Sequence, residues 1–575
     1  MLQTFVCWAW IFITAYLTGF AVRRILGRRS PGCDMDLVFG LCILTVYAQV
    51  FSLFLPVSLA ATILLGGICL VIVIAFRKAL FETWKLCLKR RYIFWKICGV
   101  AALVLITGLL LTRGPGHYDT DLYHAQSIRW IEEYGVAPGI GNLHNRLAYN
   151  SSFFCLQALF SFHFIEGQSM YSVNGFIAVL MLSYALLSMK FMRKKKIVIS
   201  DFFRIGMILY LCNGETYTCI SSPGTDLLAM TLVIYILSKW MDFWEEGEKK
   251  ETYYSQLCLL AVYAMSVKLS TAMLVLLALT PALRLMRGKK WTEAAVYVSG
   301  GLMIALPWLI RNVIISGYII YPYPELDIFD VDWKMPAYTL LFDRYEIRAW
   351  GQGLNDVYRF DASVREWFPL WFGKLQWSMK ILLGCNVIVC PGMILTGVWR
   401  GGSGRRDWNH LQIVTVIMAC IAVWLIGSPL PRYGSAYLLL LPLYAAGCGL
   451  EGMKKQMLPN IMLFSTAALA VYGISTWAAF GLESDQWKNH KREYVKYAEY
   501  ECEEHVLEGG ITVYTPAAGD QAGYYDFPST PYEDRLGLIE LRGDSLEDGF
   551  RMRKEYRNGF VSTYGRVETE NMFAE

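Results

Sequence analysis

Apolar runs alternate with short polar or charged segments along most of the chain. A helix that crosses a bilayer needs about 20 predominantly apolar residues, with a range of roughly 17–25. Runs that approach this length lie near 5–22, 36–54, 57–76, 96–112, 169–189, 201–219, 226–241, 255–267, 270–286, 295–310, 378–398, 411–427, 433–450 and 459–481. Several, notably 255–267, are short and are interpreted as broken or re-entrant helices. The pattern predicts an all-α polytopic transmembrane bundle of about 14 helices, since each run corresponds to one span.

The composition agrees with a membrane protein rather than with an ordinary soluble one. Of the 575 residues, 55% are hydrophobic and 18% are charged, whereas soluble domains carry about 25% charged residues. The 15 cysteines include no Cys-x-x-Cys pair and lie mostly inside apolar runs. We therefore expect small buried thiols rather than a disulfide framework or a zinc site.

Lys and Arg cluster in the segments that follow the odd-numbered runs. These segments lie at 23–29, 85–91, 193–196, 249–250, 284–290, 400–406 and 454–455. With fourteen spans they all fall on one side, which the positive-inside rule assigns to the cytoplasm. The loops 113–168 and 311–377 and the C-terminus then lie on the extracytoplasmic side. The sequence predicts a multi-pass protein of the plasma membrane or bacterial inner membrane.

The chain is expected to have three parts. Residues 1–95 form N-terminal accessory transmembrane helices, residues 96–482 form the transmembrane core with its two long loops, and residues 483–575 form a small extracytoplasmic α/β domain. Within the last part, the charged stretch 488–508 predicts a solvated helix, and 509–514 predicts a turn followed by a strand.

The first long loop begins with two carboxylates, Asp119 and Asp121, shortly after an apolar run. In an extended segment, side chains two residues apart point to the same side. Such a pair binds a divalent cation, here Mg²⁺ or Mn²⁺, or supplies a general base. Capping of an interfacial helix by Asp or Thr explains the pattern equally well.

The residues after this pair predict a binding surface. Apolar positions between 122 and 131 indicate an amphipathic helix lying on the bilayer. His124 is near its start, and His144, Arg146 and Asn150 follow in a segment rich in hydrogen-bonding side chains. Such a composition is typical of a ligand-binding loop, and a well-ordered structural loop is the alternative.

Three cationic residues lie on the side that the charge rule leaves poor in Lys and Arg. Lys268 lies between two apolar runs, Arg311 ends a run, and Arg432 precedes one. A charge placed in or near the membrane is costly, so we expect an anionic ligand such as a phosphate. Snorkelling of Lys268, and pairing of the two arginines with acidic residues of the 311–377 loop, are the alternatives.

Asp226 follows the sequence Ser-Ser-Pro-Gly-Thr and opens the seventh run. One interpretation is a second functional carboxylate at the membrane depth of Asp119. The other is capping at the positive end of a helix, which favours an acidic side chain at that position.

Several short motifs occur in a fixed order between about 96 and 450. They are the acidic first loop with its surface helix, Pro223-Gly224-Thr225-Asp226, Lys268-Leu269-Ser270, Pro307-Trp308 with Arg311-Asn312, and Pro431-Arg432-Tyr433. This order resembles the GT-C superfamily of membrane glycosyltransferases, which includes protein O-mannosyltransferases, aminoarabinose transferases acting on lipid A, and oligosaccharyltransferases. The motifs at 118–124, 141–144 and 519–521 are similar, more narrowly, to a family of bacterial polytopic membrane proteins without an assigned function.

The resemblance implies a transferase that takes a sugar from a polyprenyl-phosphate donor. Asp119, and next to it Asp121, would be the catalytic base or metal ligand, and Lys268, Arg311 and Arg432 would hold the donor phosphate. One base and one displacement predict inversion at the anomeric carbon. The acceptor would be an extracytoplasmic glycan, lipid or protein, with membrane lipid as a further partner and no nucleic acid.

Two departures from the superfamily pattern concern the first loop. The chain has Asp-Thr-Asp where those enzymes commonly have Asp-Glu, and three spans precede the presumed core. A polysaccharide polymerase or ligase would share the large external loops and arginines. A transporter or flippase of lipid-linked sugars is the third hypothesis, and charges deep within several spans would favour it.

Overall fold

The computed structural model describes residues 1–26, 32–89, 92–191, 197–214, 216–247, 251–402, 408–451, 457–491 and 494–573. The chain is mostly helical, with a few short strands near the C-terminus. In chain order the helices are α1 (Leu2–Ile25), α2 (Cys33–Ser52), α3 (Leu59–Leu88), α4 (Ile93–Leu111), α5 (Ala125–Tyr134), α6 (Ile140–Leu143), α7 (Ser152–Leu159), α8 (His163–Glu166), α9 (Val173–Leu187), α10 (Ile199–Leu211), α11 (Thr216–Ile220), α12 (Asp226–Glu245), α13 (Glu251–Val267), α14 (Leu279–Arg287), α15 (Trp291–Ser316), α16 (Ala337–Gly351), α17 (Val364–Lys374), α18 (Trp377–Gly402), α19 (Trp408–Gly427), α20 (Pro431–Leu450), α21 (Met457–Leu482), α22 (Asp485–Lys488) and α23 (Glu533–Leu536). A 3₁₀ segment, Leu269–Ala278, leads directly into α14.

Among the described residues, eleven helices are long and apolar enough to cross a membrane. They are α1 to α4, α12, the combined segment Leu269–Arg287, α15 and α18 to α21. The other three predicted runs correspond to the shorter helices α9, α10 and α13. Helices α9 and α10 are buried along most of their length, so they pack inside the bundle, where the length requirement of a lipid-exposed span does not apply.

The outer helices expose apolar side chains. In α3 and α18 only 17% of the most apolar window is buried, against 94% in α12. Large exposed apolar areas are rare on soluble monomers and mark membrane or partner contact. The arrangement is consistent with a polytopic helical protein, and eleven of its described helices are long and apolar enough to cross a membrane.

The N-terminal helices share one core with the later helices. Trp8 of α1 donates through Nε1 to Ser172 O at 2.7 Å, and α1 and α2 cross closely at Gly19 and Gly40. A Cβ on Gly19 would lie 1.9 Å from Asp36 O, and one on Gly40 would lie 1.8 Å from Ala15 O. Residues of α1 and α2 therefore pack with the main bundle rather than beside it.

The polar loops meet at one end of the bundle. Ser428 Oγ donates to Ile347 O at 3.0 Å, and Trp371 Nε1 donates to Pro429 O at 2.9 Å. Ion pairs such as Lys239 with Asp34 join other loop-proximal helix ends. Basic residues used for the orientation, including 28–29, 90–91, 193–196, 249–250, 405–406 and 454–455, lie outside the described residues, so the sidedness stays a prediction.

The C-terminal segment contains two antiparallel strand pairs. Strand β1 (Cys502–Val506) pairs with β2 (Thr512–Pro516), and β3 (Ile539–Leu541) pairs with β4 (Phe550–Met552). The turn and strand expected at 509–514 are present. The apolar side chains of these strands pack with Trp130 and other residues of the first loop, so this segment forms a joint core with that loop.

The helix predicted at 488–508 is wrong apart from its first residue. Helix α22 ends at Lys488, and residues 494–501 form neither helix nor strand before β1 begins. The rings of Tyr494 and Tyr497 lie 5.2 and 5.4 Å from that of Tyr171. This aromatic packing anchors the chain on the loop below, which the charge pattern alone did not reveal.

The amphipathic helix expected after the Asp pair is present as α5, but it does not lie on the bilayer. Its apolar residues Ile128, Trp130 and Ile131 are buried. The ring of Trp130 packs at a tilt against that of Phe527, with centroids 4.9 Å apart. The C-terminal segment packs on Trp130, and the core of the main bundle takes in Ile128 and Ile131, so these apolar side chains are buried by protein.

Candidate active site

Asp119 lies where the first loop turns into a helix. Thr120 N donates to His117 O at 2.9 Å, and a π-helical turn, Thr120–His124, runs into α5. The sequence analysis expected an extended segment here, and that expectation is wrong because the segment is helical. Side chains two residues apart on a helical turn point in nearly opposite directions, so Asp119 and Asp121 diverge.

Asp121 faces the C-terminal segment. The Tyr500 hydroxyl donates to Asp121 Oδ2 at 2.9 Å, and Gly523 N donates to Asp121 O at 2.9 Å. Burial raises the pKa of the Asp121 carboxyl, and the bond from Tyr500 partly offsets the rise. These contacts tie the C-terminal segment to the loop.

Asp119 instead pairs with Arg432 at the start of α20. Arg432 Nη2 lies 2.9 Å from Asp119 Oδ2, and Nη1 lies 2.9 Å from His117 Nε2. Arg432 also donates to the Tyr433 hydroxyl at 2.9 Å. None of the three partners, Asp119, His117 and Tyr433, belongs to the 311–377 loop. The alternative that Arg432 pairs with an acidic residue of that loop is therefore wrong.

A second ion pair, between Lys268 and Asp226, lies beside the first. Lys268 Nζ contacts Asp226 Oδ1 and lies 3.6 Å from the centroid of the Tyr433 ring. Arg432 Nε is 3.9 Å from Asp226 Oδ2, which links the two pairs. A cation over an aromatic face gains favourable electrostatic energy, so Tyr433 helps to hold Lys268 in place.

The turn that positions Asp226 is held by hydrogen bonds from Asn174. Asn174 Nδ2 lies within hydrogen-bonding distance of three carbonyls of this turn, at 3.1, 2.6 and 2.8 Å from the oxygens of Cys219, Ser222 and Gly224. Ser222 Oγ in turn accepts from the backbone N–H groups of Gly116 and His117, each at 3.0 Å. The turn and the first loop are thus fastened together.

These side chains surround one small cavity of about 20 Å³, which is room for about one water molecule. Its lining residues are His117, Asp119, Tyr123, His124, Cys219, Gly224, Thr225, Asp226, Lys268 and Tyr433, and Arg432 bonds to the carboxylate of Asp119 at its edge. Two carboxylates and two cations balance in charge. In this state the carboxylates therefore occupy the positions next to the cations that an anionic ligand would take.

The electrostatics of the cavity keep Asp119 ionised and His124 neutral. Burial by itself raises the pKa of the Asp119 carboxyl, but the positive charge around it, that of Arg432 above all, outweighs burial, so this pKa is lowered. Burial lowers the pKa of His124 to about 3, against the opposing effect of Asp119. Burial also lowers the pKa of His117.

Arg311 and Asn150 lie at a different cavity. Arg311 is fully buried, donating to Ser52 Oγ at 2.6 Å, to Gly135 O at 3.2 Å and to Asn150 Oδ1 at 3.2 Å. In the part of the chain that the structure describes, no carboxylate pairs with it, so pairing with acidic residues of the 311–377 loop is wrong here too. Arg311 and Asn150 line a cavity with Phe154 and Trp130, which the fold separates from the Asp119 cavity.

His144 and Arg146 lie in a third place. Arg146 pairs with Asp343 at 3.1 Å and with Glu346 at 3.5 Å, both on α16. The ring of His144 meets that of Tyr532 edge-on, with centroids 5.8 Å apart. Burial raises the pKa of the Glu346 carboxyl, and Arg146 opposes the rise. These contacts join the two long loops and the C-terminal segment. They agree with the alternative given in the sequence analysis, in which this segment is a well-ordered structural loop rather than a ligand-binding one.

The sequence analysis expected Asp119 and Asp121 to bind one divalent cation together, but their side chains point in different directions. No group of three or more His, Cys, Asp or Glu side chains is arranged to hold a metal ion among the described residues. Asp119 is bonded to a guanidinium, and Asp121 faces a tyrosine hydroxyl. This residue pair does not fit a shared Mg²⁺ or Mn²⁺ ion.

Sequence reasoning did not single out four residues of this arrangement: His117, Asn174, Tyr433 and Tyr500. His117 and Tyr433 each lie within two positions of a candidate residue, and that proximity was a usable signal. Asn174 is an amide near the start of an apolar run, where an unpaired polar group is costly and therefore has a partner. Tyr500 carried no such signal.

Comparison with protein families gives a match over residues 1–439 to a family described as "Domain of unknown function (DUF8201)". The matched range contains Asp119, Asp226, Lys268 and Arg432. Comparisons with curated proteins and with solved structures give no match.

Proposed function

The chain belongs to the DUF8201 family, and from the cavity around Asp119 we propose that it is a glycosyltransferase. It moves a sugar from a polyprenyl-phosphate donor to an extracytoplasmic glycan, lipid or protein, in the manner of GT-C enzymes. The observation that carries this proposal is the meeting of Asp119, Asp226, Lys268 and Arg432 at one cavity. These residues come from four segments that are far apart in sequence.

The two cations suit a phosphate group. Lys268 and Arg432 are 19% and 34% exposed, so a ligand can reach them once the cavity opens. Charge-assisted hydrogen bonds from Lys and Arg to phosphate are among the strongest in proteins. In the proposed donor complex the phosphate displaces the carboxylates of Asp226 and Asp119 from these cations.

Two helix ends add to this preference for an anion. Helix α12 begins at Asp226 and α20 begins at Pro431, each with 20 residues. The first turn of a helix presents free N–H groups and partial positive charge, which favours phosphate. Both helices start at the cavity, where Asp226 and Arg432 belong to their first turns.

Asp119 is the proposed general base. The acceptor hydroxyl oxygen attacks the anomeric carbon, its proton passes to Asp119, and the bond from that carbon to the phosphate oxygen breaks. The bonding electrons leave with the phosphate, whose charge Lys268 and Arg432 stabilise. Attack opposite to the leaving group inverts the anomeric centre.

Donor binding would also activate the base. In the ligand-free state the Arg432 guanidinium holds the pKa of Asp119 low against the effect of burial. A phosphate that engages Arg432 removes part of this stabilisation of the carboxylate, so the proton affinity of Asp119 rises. The site thereby couples occupation by the donor to deprotonation of the acceptor.

A binding experiment tests the phosphate site directly. Titrating undecaprenyl phosphate into the full chain in nanodiscs is expected to give saturable binding that Arg432→Gln weakens by about 10–100-fold, the range of a lost charged hydrogen bond. Arg113→Gln is the matched control, because Arg113 is exposed and stacks on Phe480. Equal affinity in the wild type and both variants would remove the proposal.

Two observations separate the proposal from its alternatives. Analysis of surface glycans in a deletion strain should show a missing sugar, whereas loss of a polymerase or ligase leaves single or unattached repeats. In sealed vesicles, transport of a labelled lipid-linked sugar without any transfer product would favour a flippase.

A further inference from the structure

A second cleft lies between the start of α3, the end of α5 and α8. It has a volume of about 560 Å³ and is lined by Leu55, Pro56, Ser58, Leu59, Ala60, Glu132, Glu133, Tyr134 and His163. It shares no lining residue with the Asp119 cavity. Its side chains include a hydroxyl, an imidazole and a buried carboxylate that the proposed sugar transfer does not use.

Ser58 occupies the N-cap position of α3 but does not cap the helix. A serine at this position normally accepts a hydrogen bond from a backbone N–H of the first turn. Here Ser58 Oγ instead lies 3.2 Å from His163 Nε2. A hydroxyl bonded to an imidazole nitrogen is the pairing that activates a serine nucleophile.

A carboxylate lies behind the imidazole. Glu132 Oε1 is 3.9 Å from His163 Nδ1, on the side of the ring opposite Ser58. Glu132 is fully buried and is held by Ser169 Oγ at 2.6 Å and by the Tyr524 hydroxyl at 3.4 Å. Burial raises the pKa of Glu132 to about 7 and lowers the pKa of His163.

The start of α3 supplies hydrogen-bond donors next to Ser58. The first backbone bond of this 30-residue helix runs from Thr62 N to Ser58 O at 3.2 Å. The N–H groups of Leu59, Ala60 and Ala61 precede it, so the helix itself gives them no acceptor. Leu59 and Ala60 both line the cleft. Donors in this position suit an oxyanion that forms beside the serine.

We propose that Ser58, His163 and Glu132 form a second catalytic site, which cleaves carboxylic esters that carry an apolar chain. Ser58 is the nucleophile, His163 is the general base and acid, and Glu132 is a positioning residue for His163. The apolar preference follows from the rim of the cleft, where Leu55 and Leu59 are 53% and 49% exposed.

The reaction balances with water as the only co-reactant. Ser58 Oγ attacks the ester carbonyl carbon, and its proton passes to His163 Nε2. The tetrahedral oxyanion collapses, the bond to the alcohol oxygen breaks, and His163 returns the proton to that oxygen. Water then attacks the acyl-serine with His163 as base, which releases the carboxylic acid and restores Ser58.

An alkyl fluorophosphonate tests the nucleophile. The full chain in nanodiscs is expected to be labelled at Ser58, as identified by peptide mass spectrometry. Ser58→Ala should abolish this label, and His163→Asn should slow labelling by about 10²–10⁴-fold, the usual contribution of a general base. Ser475→Ala is the control, since Ser475 is an exposed serine whose hydroxyl donates to Tyr472 O and which does not line this cleft. It should label at the wild-type rate.

The same assay gives results that would overturn the proposal. A wild-type chain without label on Ser58, or a His163→Asn variant labelled as fast as the wild type, excludes the site. Equal melting temperatures of the variants and the wild type show that folding does not explain a loss of label.

Glu132 needs a readout that a purely structural role would leave unchanged. Of the charged groups near His163, Glu132→Gln removes one carboxylate and leaves Glu133 and Arg129 in place. Glu133 is the carboxylate whose charge raises the pKa of His163 against burial. If Glu132, 3.9 Å from Nδ1, also acts on the imidazolium, its loss should move the midpoint of the labelling rate against pH to lower pH. An unchanged midpoint would contradict the positioning role.

Discussion

Arg432 Nη2 lies 2.9 Å from Asp119 Oδ2, so the first long loop is joined to the start of a late helix by a charged contact. The same guanidinium lies 3.9 Å from Asp226, which also holds Lys268. Two carboxylates thus neutralise two partly exposed cations. A ligand with a phosphate group must compete with both carboxylates, and this competition leads to the first two predictions.

Asp119→Asn should abolish sugar transfer, and Asp121→Asn should not. The first change removes the proposed base, which contributes about 10²–10⁴-fold to kcat in other enzymes. The second changes a carboxylate that contacts Tyr500 rather than the cavity. Turnover of a polyprenyl-phosphate sugar by both variants in nanodiscs checks this. Equal loss in the two variants would contradict the division of roles.

Lys268→Met and Asp226→Asn should change phosphate affinity in opposite directions. Loss of the Lys268 charge weakens binding by about 10–100-fold, whereas loss of the competing Asp226 charge strengthens it, because a charged hydrogen bond contributes about 1.5–3 kcal/mol. The measurement is inhibition of the transfer reaction by undecaprenyl phosphate. If both variants bind more weakly, Asp226 contacts the ligand instead of competing with it.

Arg311→Met should lower thermal stability without changing undecaprenyl phosphate affinity. The buried guanidinium donates hydrogen bonds to Ser52 Oγ, Gly135 O and Asn150 Oδ1. An acceptor left unpaired costs about 1–3 kcal/mol. Thermal unfolding in nanodiscs and the binding titration measure the two effects. Weaker phosphate binding at unchanged stability would instead assign Arg311 the donor role that the GT-C resemblance implies.

Acid should destabilise the protein in part through His124. Its pKa is about 3 in the folded state and about 6.5 when unfolded. Below pH 6.5 the unfolded chain binds a proton that the folded chain does not, so stability falls by about 1.4 kcal/mol per pH unit until the pH reaches the folded value. Between pH 6.5 and 5 this amounts to about 2 kcal/mol.

The measurement is the melting temperature of the wild type and of His124→Phe across this pH range. The variant lacks the titrating ring, so its melting temperature should fall less steeply. His490→Gln, which changes an exposed residue, is the control and should follow the wild type. Parallel curves for all three proteins would show that His124 does not carry the effect.

The apolar pattern predicted the helices well, because a run of about 20 apolar residues folds as a helix wherever it meets lipid or other apolar helices. Each of the fourteen predicted runs coincides with a helix, and eleven of these are of spanning length. The pattern failed at 488–508, where the charges suggested a helix but the rings of Tyr494 and Tyr497 pack on Tyr171 in a non-helical segment. Aromatic contacts across distant segments leave no local period in the sequence.

The candidate residues could be proposed from their anomalous positions, but their grouping could not. Position relative to the membrane singled out Lys268, Arg311 and Arg432 alike, since all three lie at span ends on the same predicted side. Only the packing of α20 against the first loop and the turn before α12 decided that Arg432 and Lys268 share a cavity. Arg311 faces α2 and Gly135 instead.

The sequence by itself determined that this chain has a series of apolar helices with polar loops, because hydrophobicity is a local property that each segment carries with it. Tertiary structure alone decided that Asp119 and Asp121 point in different directions. On one helical turn, the carboxylate of Asp119 contacts Arg432 and that of Asp121 contacts Tyr500. Ion pairs between distant segments depend on how the helices pack against one another. That packing leaves no local pattern in the sequence from which the pairs could be predicted.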